Sequence, residues 1–345
     1  MLPLTITLII PCRNEAKFIA QCLDSILANT YPKECLEVLI IDGMSDDGTR
    51  DVIRVYAARH AFIRLLDNQN KITPSALNIG IRFARGEIVM RMDVHVTYPT
   101  NYISGLLSAL METGADNAGG LCNTVPTNNT VIGQAIAIAM AHPFGVGNSY
   151  FRIGVSEPRW VDTVPFGCYR KEVFDRIGLF DEKMVRNEDD EFNLRLIKHG
   201  GKILLVPHIV SYYYARDSLR KLWRMYSQYG YFKPLVVSKI GRVLTIRQLV
   251  PSAFVSCLFL LAALGLWSGL ALTSDEILLF TYVAANFCVS WITAARTKTK
   301  SALALPLVFP VLHFGYGLGF LKGAFNLLLF RKFDSKTLAS VGLTR

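Results

Sequence analysis

Between residues 5 and 92, short apolar runs alternate with segments of helical spacing, and few folds accommodate that alternation. Thr5 to Ile10 reads as a strand that stops at Pro11. Ala16 to Ala28 carries Phe18, Ile19, Cys22, Leu23, Ile26 and Leu27 at helical spacing. Glu37 to Ile41 reads as a second strand, and Ser45-Asp46-Asp47-Gly48-Thr49 as a turn into a helix from Asp51 to Arg59. Phe62 to Leu66, Pro74 to Ala84 and Glu87 to Met92 follow as strand, helix and strand. A βαβαβαβ order with short connections predicts an α/β fold with a mostly parallel sheet. Such sheets bind ligands beyond the carboxyl ends of their strands. Here those ends are Pro11-Cys12-Arg13-Asn14-Glu15, Asp42-Gly43-Met44-Ser45 and Asp93-Val94-His95.

The middle of the chain is less regular. Asn101 to Thr113 reads as a helix, Ala118 to Val125 as a strand, and Val131 to Ala141 as an apolar helix too short to span a bilayer. His142 to Phe151 is glycine-rich and reads as a loop. Val161 to Arg170 reads as extended chain entering a helix at residues 171–177, and Lys202 to Pro207 as a short strand. Glu188 to His199 reads as a helix with an acidic first turn, and Ser218 to Phe232 as an interfacial helix mixing aromatic and basic residues.

The chain has 345 residues, 51% of them hydrophobic, and the excess lies towards its C-terminal end. Leu249 to Leu272, Ile277 to Ala295 and Ala302 to Phe330 are each long enough to span a bilayer. The third contains Pro306, Pro310, His313, Gly315, Gly317, Gly319 and Lys322, so a kinked, tilted or re-entrant course is expected. The net charge of +10 clusters beside these runs. Arg216, Arg220, Lys221, Arg224, Lys233, Lys239, Arg242 and Arg247 precede the first, and Arg296, Lys298 and Lys300 follow the second. Thr273-Ser274-Asp275-Glu276 reads as the loop between them. The positive-inside rule then places residues 1–248 and 296–300 in the cytoplasm. Arg331, Lys332 and Lys336 pull the C-terminal tail inward too, which favours a re-entrant or hairpin third run. The basic stretch suits anionic lipid headgroups, and no nucleic-acid signature accompanies it. Seven dispersed cysteines without metal-type spacing fit a reducing compartment. The N-terminus carries no basic region or cleavage site of a signal peptide. The expected organisation is a catalytic domain over 1–215, amphipathic interfacial helices over 216–248, transmembrane helices over 249–330 and a tail over 331–345.

Two groups carry chemistry. Asp93 and His95 sit at alternate positions just past a strand end, so both can face one crevice and hold a divalent cation. A cation there serves phosphates. Glu188-Asp189-Asp190-Glu191 crowds like charges, which raises a carboxylate pKa, and the helix N-terminus partly offsets it.

Ile9-Ile10-Pro11-Cys12-Arg13-Asn14-Glu15, residues 38–49, Ala76-Leu77-Asn78-Ile79-Gly80, Asp93-Val94-His95 and Asn187-Glu188-Asp189-Asp190-Glu191 recur in the order of a known family. The chain resembles the inverting family 2 glycosyltransferases of GT-A fold, in particular the membrane-anchored exopolysaccharide enzymes of the succinoglycan type. The resemblance implies that Asp42 hydrogen-bonds the donor base and that Pro11, Arg13 and Glu15 line its pocket. It implies a nucleotide contact or a helix cap for Asp46, and for Lys71 a phosphate or uracil contact or a solvated loop position. Asp93 and His95 stand where the family carries two aspartates, which favours Mn²⁺ over Mg²⁺ as the cation. His208 is a candidate extra metal ligand or diphosphate contact. Asp189, with Glu188, matches the family's base, and Asp162 its acceptor side. Arg220, Arg224 and Gln228 share a helical spacing that could reach the donor or a lipid diphosphate. The processive synthases' Gln-x-x-Arg-Trp motif is absent here. The implied activity is transfer of a single hexose from a nucleotide diphosphate sugar, UDP-glucose or UDP-galactose, to a polyprenyl-diphosphate-linked saccharide in surface-glycan assembly. The alternatives are a polyprenyl-phosphate sugar synthase and a catalytically silent membrane-bound scaffold.

Overall fold

The computed structural model describes residues 4–241 and 246–330. Arg242 and the expected tail with Arg331, Lys332 and Lys336 lie outside the described residues. The chain forms two compact units, one made of residues up to 123 with 154–213, the other of 124–153 with the chain from 214 onward. The expected 1–215 domain is therefore interrupted, because residues 124–153 pack with the C-terminal helices.

The first unit begins as the sequence pattern predicts, with β1 (Ile6–Cys12), α1 (Ile19–Leu27), β2 (Leu36–Asp42), α2 (Thr49–Arg59), β3 (Ile63–Asp67), α3 (Thr73–Phe83) and β4 (Ile88–Arg91). It continues with β5 (Val96–Thr97), α4 (Tyr102–Thr113) and β6 (Asn117–Val125). After α5 (Val131–Met140), α6 (Pro143–Val146) and α7 (Tyr150–Ile153) of the second unit, it resumes with β7 (Arg159–Trp160), β8 (Cys168–Arg170), α8 (Glu172–Ile177), α9 (Glu188–Lys198) and β9 (Ile203–Tyr214). The sheet runs β3-β2-β1-β4-β8-β6-β9-β5, with β7 on β9. Strands β3, β2, β1 and β4 are parallel. The β4–β8, β6–β8, β5–β9 and β7–β9 pairs are antiparallel. The sheet is thus mixed, with its parallel half where the alternation predicted it.

Burial explains that half. Every residue of β2 is buried, as a strand covered on both faces requires. Strand β1 does not stop at Pro11 but runs to Cys12. The β1–β4 register ends at Ile9–Arg91, so the proline lies beyond the stretch paired on both sides. Helix α3 lies close on β1, since a Cβ at Gly80 would sit 2.5 Å from Ile9 Cγ2. Asn78, two residues before the Gly80 contact, donates to Phe180 O at 2.9 Å and Glu182 Oε1 at 3.0 Å, and accepts from Phe180 N at 2.9 Å. The Ala76–Gly80 motif therefore seats α3 and fastens the loop that leads to α9.

The second unit also contains α10 (Leu219–Ile240), α11 (Val250–Gly265), α12 (Gly269–Thr297) and α13 (Leu305–Phe330). The expected loop at residues 142–151 instead holds α6 and the start of α7. Helix α10 buries Leu222, Met225, Phe232 and Val236, and Tyr231 Oη accepts from Asn326 Nδ2 of α13 at 2.8 Å. Much of its apolar side is thus spent inside the unit. The first expected span is overturned. The helix ends at Gly265, and α12 starts at Gly269, so the turn falls at residues 266–268 and Thr273–Glu276 lies inside α12. At 16 residues α11 is about 24 Å long, short of the roughly 30 Å hydrocarbon core. Two helices, Gly269–Thr297 and the segment Lys300–Leu329, are long and apolar enough to cross a membrane. The second of these is one continuous helix through Pro310 rather than a hairpin.

Gly80→Ala should lower the unfolding free energy by about 1–3 kcal/mol, because α3 must lift from Ile9. Chemical denaturation measures it, and pairing the change with Ile9→Ala should recover part of the loss. An unaltered midpoint in the single variant would contradict this packing.

Candidate active site

The carboxyl ends of β1, β2 and β3 are each followed by a non-glycine residue in the left-handed region: Asn14 at φ 53°, Met44 at φ 58° and Lys71 at φ 59°. Phe166 and Asn187, which precede β8 and α9, share it at φ 48° and φ 60°. Such conformations cost on the order of 1–3 kcal/mol each and persist where surrounding contacts impose them. Those contacts are present. Asn14 donates through its amide nitrogen to Ser45 Oγ at 2.8 Å and through Nδ2 to Asp46 Oδ1 at 2.9 Å, and its Oδ1 accepts from Asp46 N at 3.1 Å. The loops after β1 and β2 are therefore one hydrogen-bonded body.

Asp42 lies at the centre of that body with 0% exposure. Its oxygens accept from Ser45 N at 2.9 Å, Ser45 Oγ at 2.5 Å and Arg50 Nη1 at 2.7 Å. Arg50 continues to Asp67 at 2.7 Å, tying β2 to β3. Asp42 thus holds the loop from inside, at the end of β2 where a donor base was expected. Asp46 latches onto Asn14, and the end of the loop is secured by Asp47, which accepts from Thr49 N at 3.0 Å and Ala16 N at 3.1 Å. Arg13 is exposed, with its stem over Gly43, where a Cβ would lie 3.1 Å from Arg13 Cδ. Pro11 is half-buried at the end of β1, and Lys71 is exposed in the turn after β3.

On the other side of β1, Asp93 is held from two directions. The Arg91 guanidinium donates from Nε to Asp93 Oδ1 at 2.9 Å and from Nη2 to Oδ2 at 3.3 Å. Tyr98 Oη accepts from the Asp93 amide at 2.7 Å and donates to its carbonyl at 3.3 Å. Tyr98 in turn packs against Tyr102 and against Phe166 of the left-handed turn, with ring centroids 4.7 Å and 6.0 Å away. His95 Nδ1 lies 3.9 Å from Glu15 Oε1, and its ring stands edge-on to Tyr213. Glu15, buried, is therefore beside His95 and not extended towards solvent.

Helix α9 brings the acidic run to the same place. Arg91 Nη1 donates to Glu188 Oε1 at 3.1 Å. Glu191 pairs with Arg195 at 2.8 Å. Asp189 makes no ion pair among the described residues, and its carboxylate accepts only from the Asp190 amide, at 2.8 Å. Burial pushes Glu188 up to about 6, against the pull of Arg91 and with the push of Asp189. Burial also raises Asp189, opposed by Arg91 and assisted by the nearby Asp190 and Asp93. Burial opposes ionisation of Asp93 too, but Arg91 outweighs it and holds that carboxyl below the usual range. One neighbourhood thus contains a firmly ionised acid and two acids poised higher. Asp162 lies just before Thr163, whose Oγ1 accepts from Asn193 Nδ2 of α9 at 2.9 Å, so its segment is tied to the same helix.

A family model described as glycosyl transferase family 2 matches residues 7–178. The Methanococcus voltae dolichyl N-acetyl-alpha-D-glucosaminyl phosphate 3-beta-D-2,3-diacetamido-2,3-dideoxy-beta-D-glucuronosyltransferase is 30% identical over 92% of this chain and 96% of its own length. The chain belongs to glycosyl transferase family 2. The succinoglycan biosynthesis protein ExoA of Rhizobium meliloti is 28% identical over 94% of this transferase and 96% of its own length. Among solved structures, the mannosyltransferase PcManGT from Pyrobaculum calidifontis in complex with GDP-Man and Mn²⁺ shares the fold, with a TM-score of 0.58 and 20% identity over 96% of this chain and 89% of that one.

The remaining expectations separate. His208 is exposed on β9, five positions from Tyr213, which packs on His95. A strand covers about 17 Å in that distance and turns odd-numbered steps to opposite faces, so nothing along β9 brings His208 to His95. Arg220 and Arg224 are exposed on α10, whereas Gln228 on the same helix is buried, so the three present no single accessible face. They belong to the second unit. Arg91, Tyr98 and Arg50 were not expected from the sequence, and Asn14, Ser45 and Asp47 stood in its motifs without a role of their own. For Arg91 a signal was available: a charge inside the apolar run 88–92 must find a buried partner, and Asp93 is two residues on.

The transferase's rate should fall as pH drops through the range where Glu188 and Asp189 take up protons. Their pKa values are raised, so the ionised, proton-accepting form is present above that range and lost below it. A profile of kcat/KM from about pH 8 to about pH 4.5 should show an acid limb centred well above the ordinary carboxylate range. Undiminished activity at the acid end would remove both residues from base catalysis.

Proposed function

We propose that this family 2 enzyme transfers a single hexose from a nucleotide diphosphate sugar, UDP-glucose or UDP-galactose, to a polyprenyl-diphosphate-linked saccharide at a membrane surface, with inversion. The observation that carries the reading is Asp189. It is partly buried, raised in pKa, free of ion pairing among the described residues, and placed beside the firmly ionised Asp93 beyond the carboxyl end of β4. That is what a general base for an acceptor hydroxyl requires. As the hydroxyl attacks the anomeric carbon, Asp189 takes its proton, and the nucleoside diphosphate departs from the opposite face. Inversion needs one displacement and no enzyme nucleophile. A lipid phosphate acceptor would already be ionised and would leave Asp189 without a task, which favours a sugar hydroxyl.

Pro11, Arg13 and the rigid body formed by Asn14, Ser45 and Asp46 would line the nucleotide crevice, with Asp42 and Arg50 setting its shape from behind. Asp162 would border the acceptor. Asp93 and His95 offer one carboxylate and one imidazole, and no cluster of three or more ligating side chains occurs among the described residues. That set fits a divalent cation whose remaining ligands are donor phosphate oxygens and water. Imidazole in the set favours Mn²⁺ over Mg²⁺. When bound, the cation would neutralise charge on the leaving diphosphate. The two relatives, a dolichyl-phosphate-linked sugar transferase and a succinoglycan biosynthesis protein, support a lipid-linked acceptor in polysaccharide assembly. The two long apolar helices support residence at a membrane, with the basic residues of α10 and the 296–300 loop on its cytoplasmic side.

The test is transfer from a panel of radiolabelled nucleotide sugars to extracted membrane lipids, with Mn²⁺, Mg²⁺ or a chelator. A UDP-hexose should be used, Mn²⁺ should support the higher rate, and Asp189→Asn should lower transfer by at least about 10³-fold while still binding UDP. Normal turnover by that variant would reject the base assignment. Transfer of a non-hexose sugar or from another nucleotide would reject the donor assignment.

A further inference from the structure

Arg91 belongs to none of the motifs that mark donor, base or acceptor, yet it touches two of those groups at once. We infer that Arg91 is the positioning residue that sets Asp93 against the Glu188–Asp189 pair and determines which of the two neighbours serves as base. The inference rests on the transfer reading above.

Three features carry it. The first is geometry. One planar guanidinium spends Nε and Nη2 on the two oxygens of Asp93 and Nη1 on Glu188. Its fork fixes the plane of the Asp93 carboxylate as well as its distance, which a lysine ammonium with freely rotating donors cannot do. The second is confinement. The Arg91 side chain is 12% exposed, Asp93 17% and Glu188 9%, and the Arg91 amide donates to Gly167 O at 3.0 Å. The guanidinium is thereby anchored at the end of β4, and the residues it binds come from the β4 end and from α9. The third is selection. Glu188 is held by Arg91 and Glu191 by Arg195, while Asp189 keeps a carboxylate without an ion partner among the described residues. By engaging Glu188, Arg91 leaves Asp189 as the group able to accept a proton. A donor held by Asp93 and an acceptor hydroxyl held by Asp189 then meet at a separation and angle set by one rigid group, the condition for in-line attack.

A purely structural role would also make Arg91 sensitive to mutation, since its loss strands buried carboxylates. The experiment separates the two. Arg91→Lys keeps the charge and loses the fork. It should lower kcat about 100-fold, the cost of misplacement by about 1 Å, and change donor KM by less than about threefold. Arg91→Ala should lose at least about 10³-fold in kcat and regain about 10-fold or more with added ethylguanidinium, which restores the fork without the chain. The Arg91→Met, Glu188→Gln double variant removes a charge from each side. It should unfold at a higher temperature than Arg91→Met alone yet remain slow. A kcat within twofold of wild type for Arg91→Lys would overturn the inference. So would losses in kcat that parallel the loss of folded protein with no response to ethylguanidinium. Asp189→Asn is run alongside: if it turns over normally, the transfer reading has failed, whereas a dead Asp189→Asn with an active Arg91→Lys rejects Arg91 alone.

Discussion

Three carboxylates from two separate segments meet near the end of β4, and a single guanidinium makes that possible. Without Arg91, Asp93, Glu188 and Asp189 would repel one another in a poorly solvated place, and burial would drive at least one of them neutral. With it, Asp93 is held ionised, and the rise that burial imposes on Glu188 and Asp189 is restrained. The same guanidinium therefore balances acids from the end of β4 and from α9. A buried ion pair of this kind contributes little net stability. Its value lies in fixing where charges stand.

The rest of the first unit keeps this arrangement still. Tyr98 clamps the Asp93 backbone, and the left-handed Phe166 packs on Tyr98 while its carbonyl accepts from Tyr102 at 3.3 Å. Asn78 holds the 180–182 loop that leads to α9. Beyond β1 and β2, Asn14 and Asp46 join two loops, and Asp42 with Arg50 stiffens them from within. The left-handed residues follow the ends of β1, β2 and β3 or precede β8 and α9, and regular sheet and helix adjoin them. That distribution suits a site that must be rigid before substrate arrives.

The parallel half of the sheet was legible because β1 to β4 are continuous apolar runs, and its boundaries moved by only a residue or two. The antiparallel half was not. Strands β7 and β8 have two and three residues, too few for alternation to register, and Pro207 and His208 hid the continuity of the twelve-residue β9. The turn between α11 and α12 was misplaced although Gly265, the Ser268 cap and Gly269 mark it, because Asp275-Glu276 mimics a loop inside a helix. Asp93, Glu188 and Asp189 were readable from their motifs and lie together. Asp42 was readable as important but not as interior, because a motif marks a residue without saying which way it faces. Arg91 was hidden in plain sequence, since its partners come from 97 positions away as well as two.

The central claim is a direct displacement, with the base on one side of the sugar and the departing diphosphate on the other. Proton NMR of the anomeric position in the isolated product, compared with the donor sugar, tests it most directly. The account predicts the opposite anomeric configuration, a β-linked product from an α-linked donor. A product that keeps the donor's configuration would contradict a single displacement and, with it, the role given to Asp189.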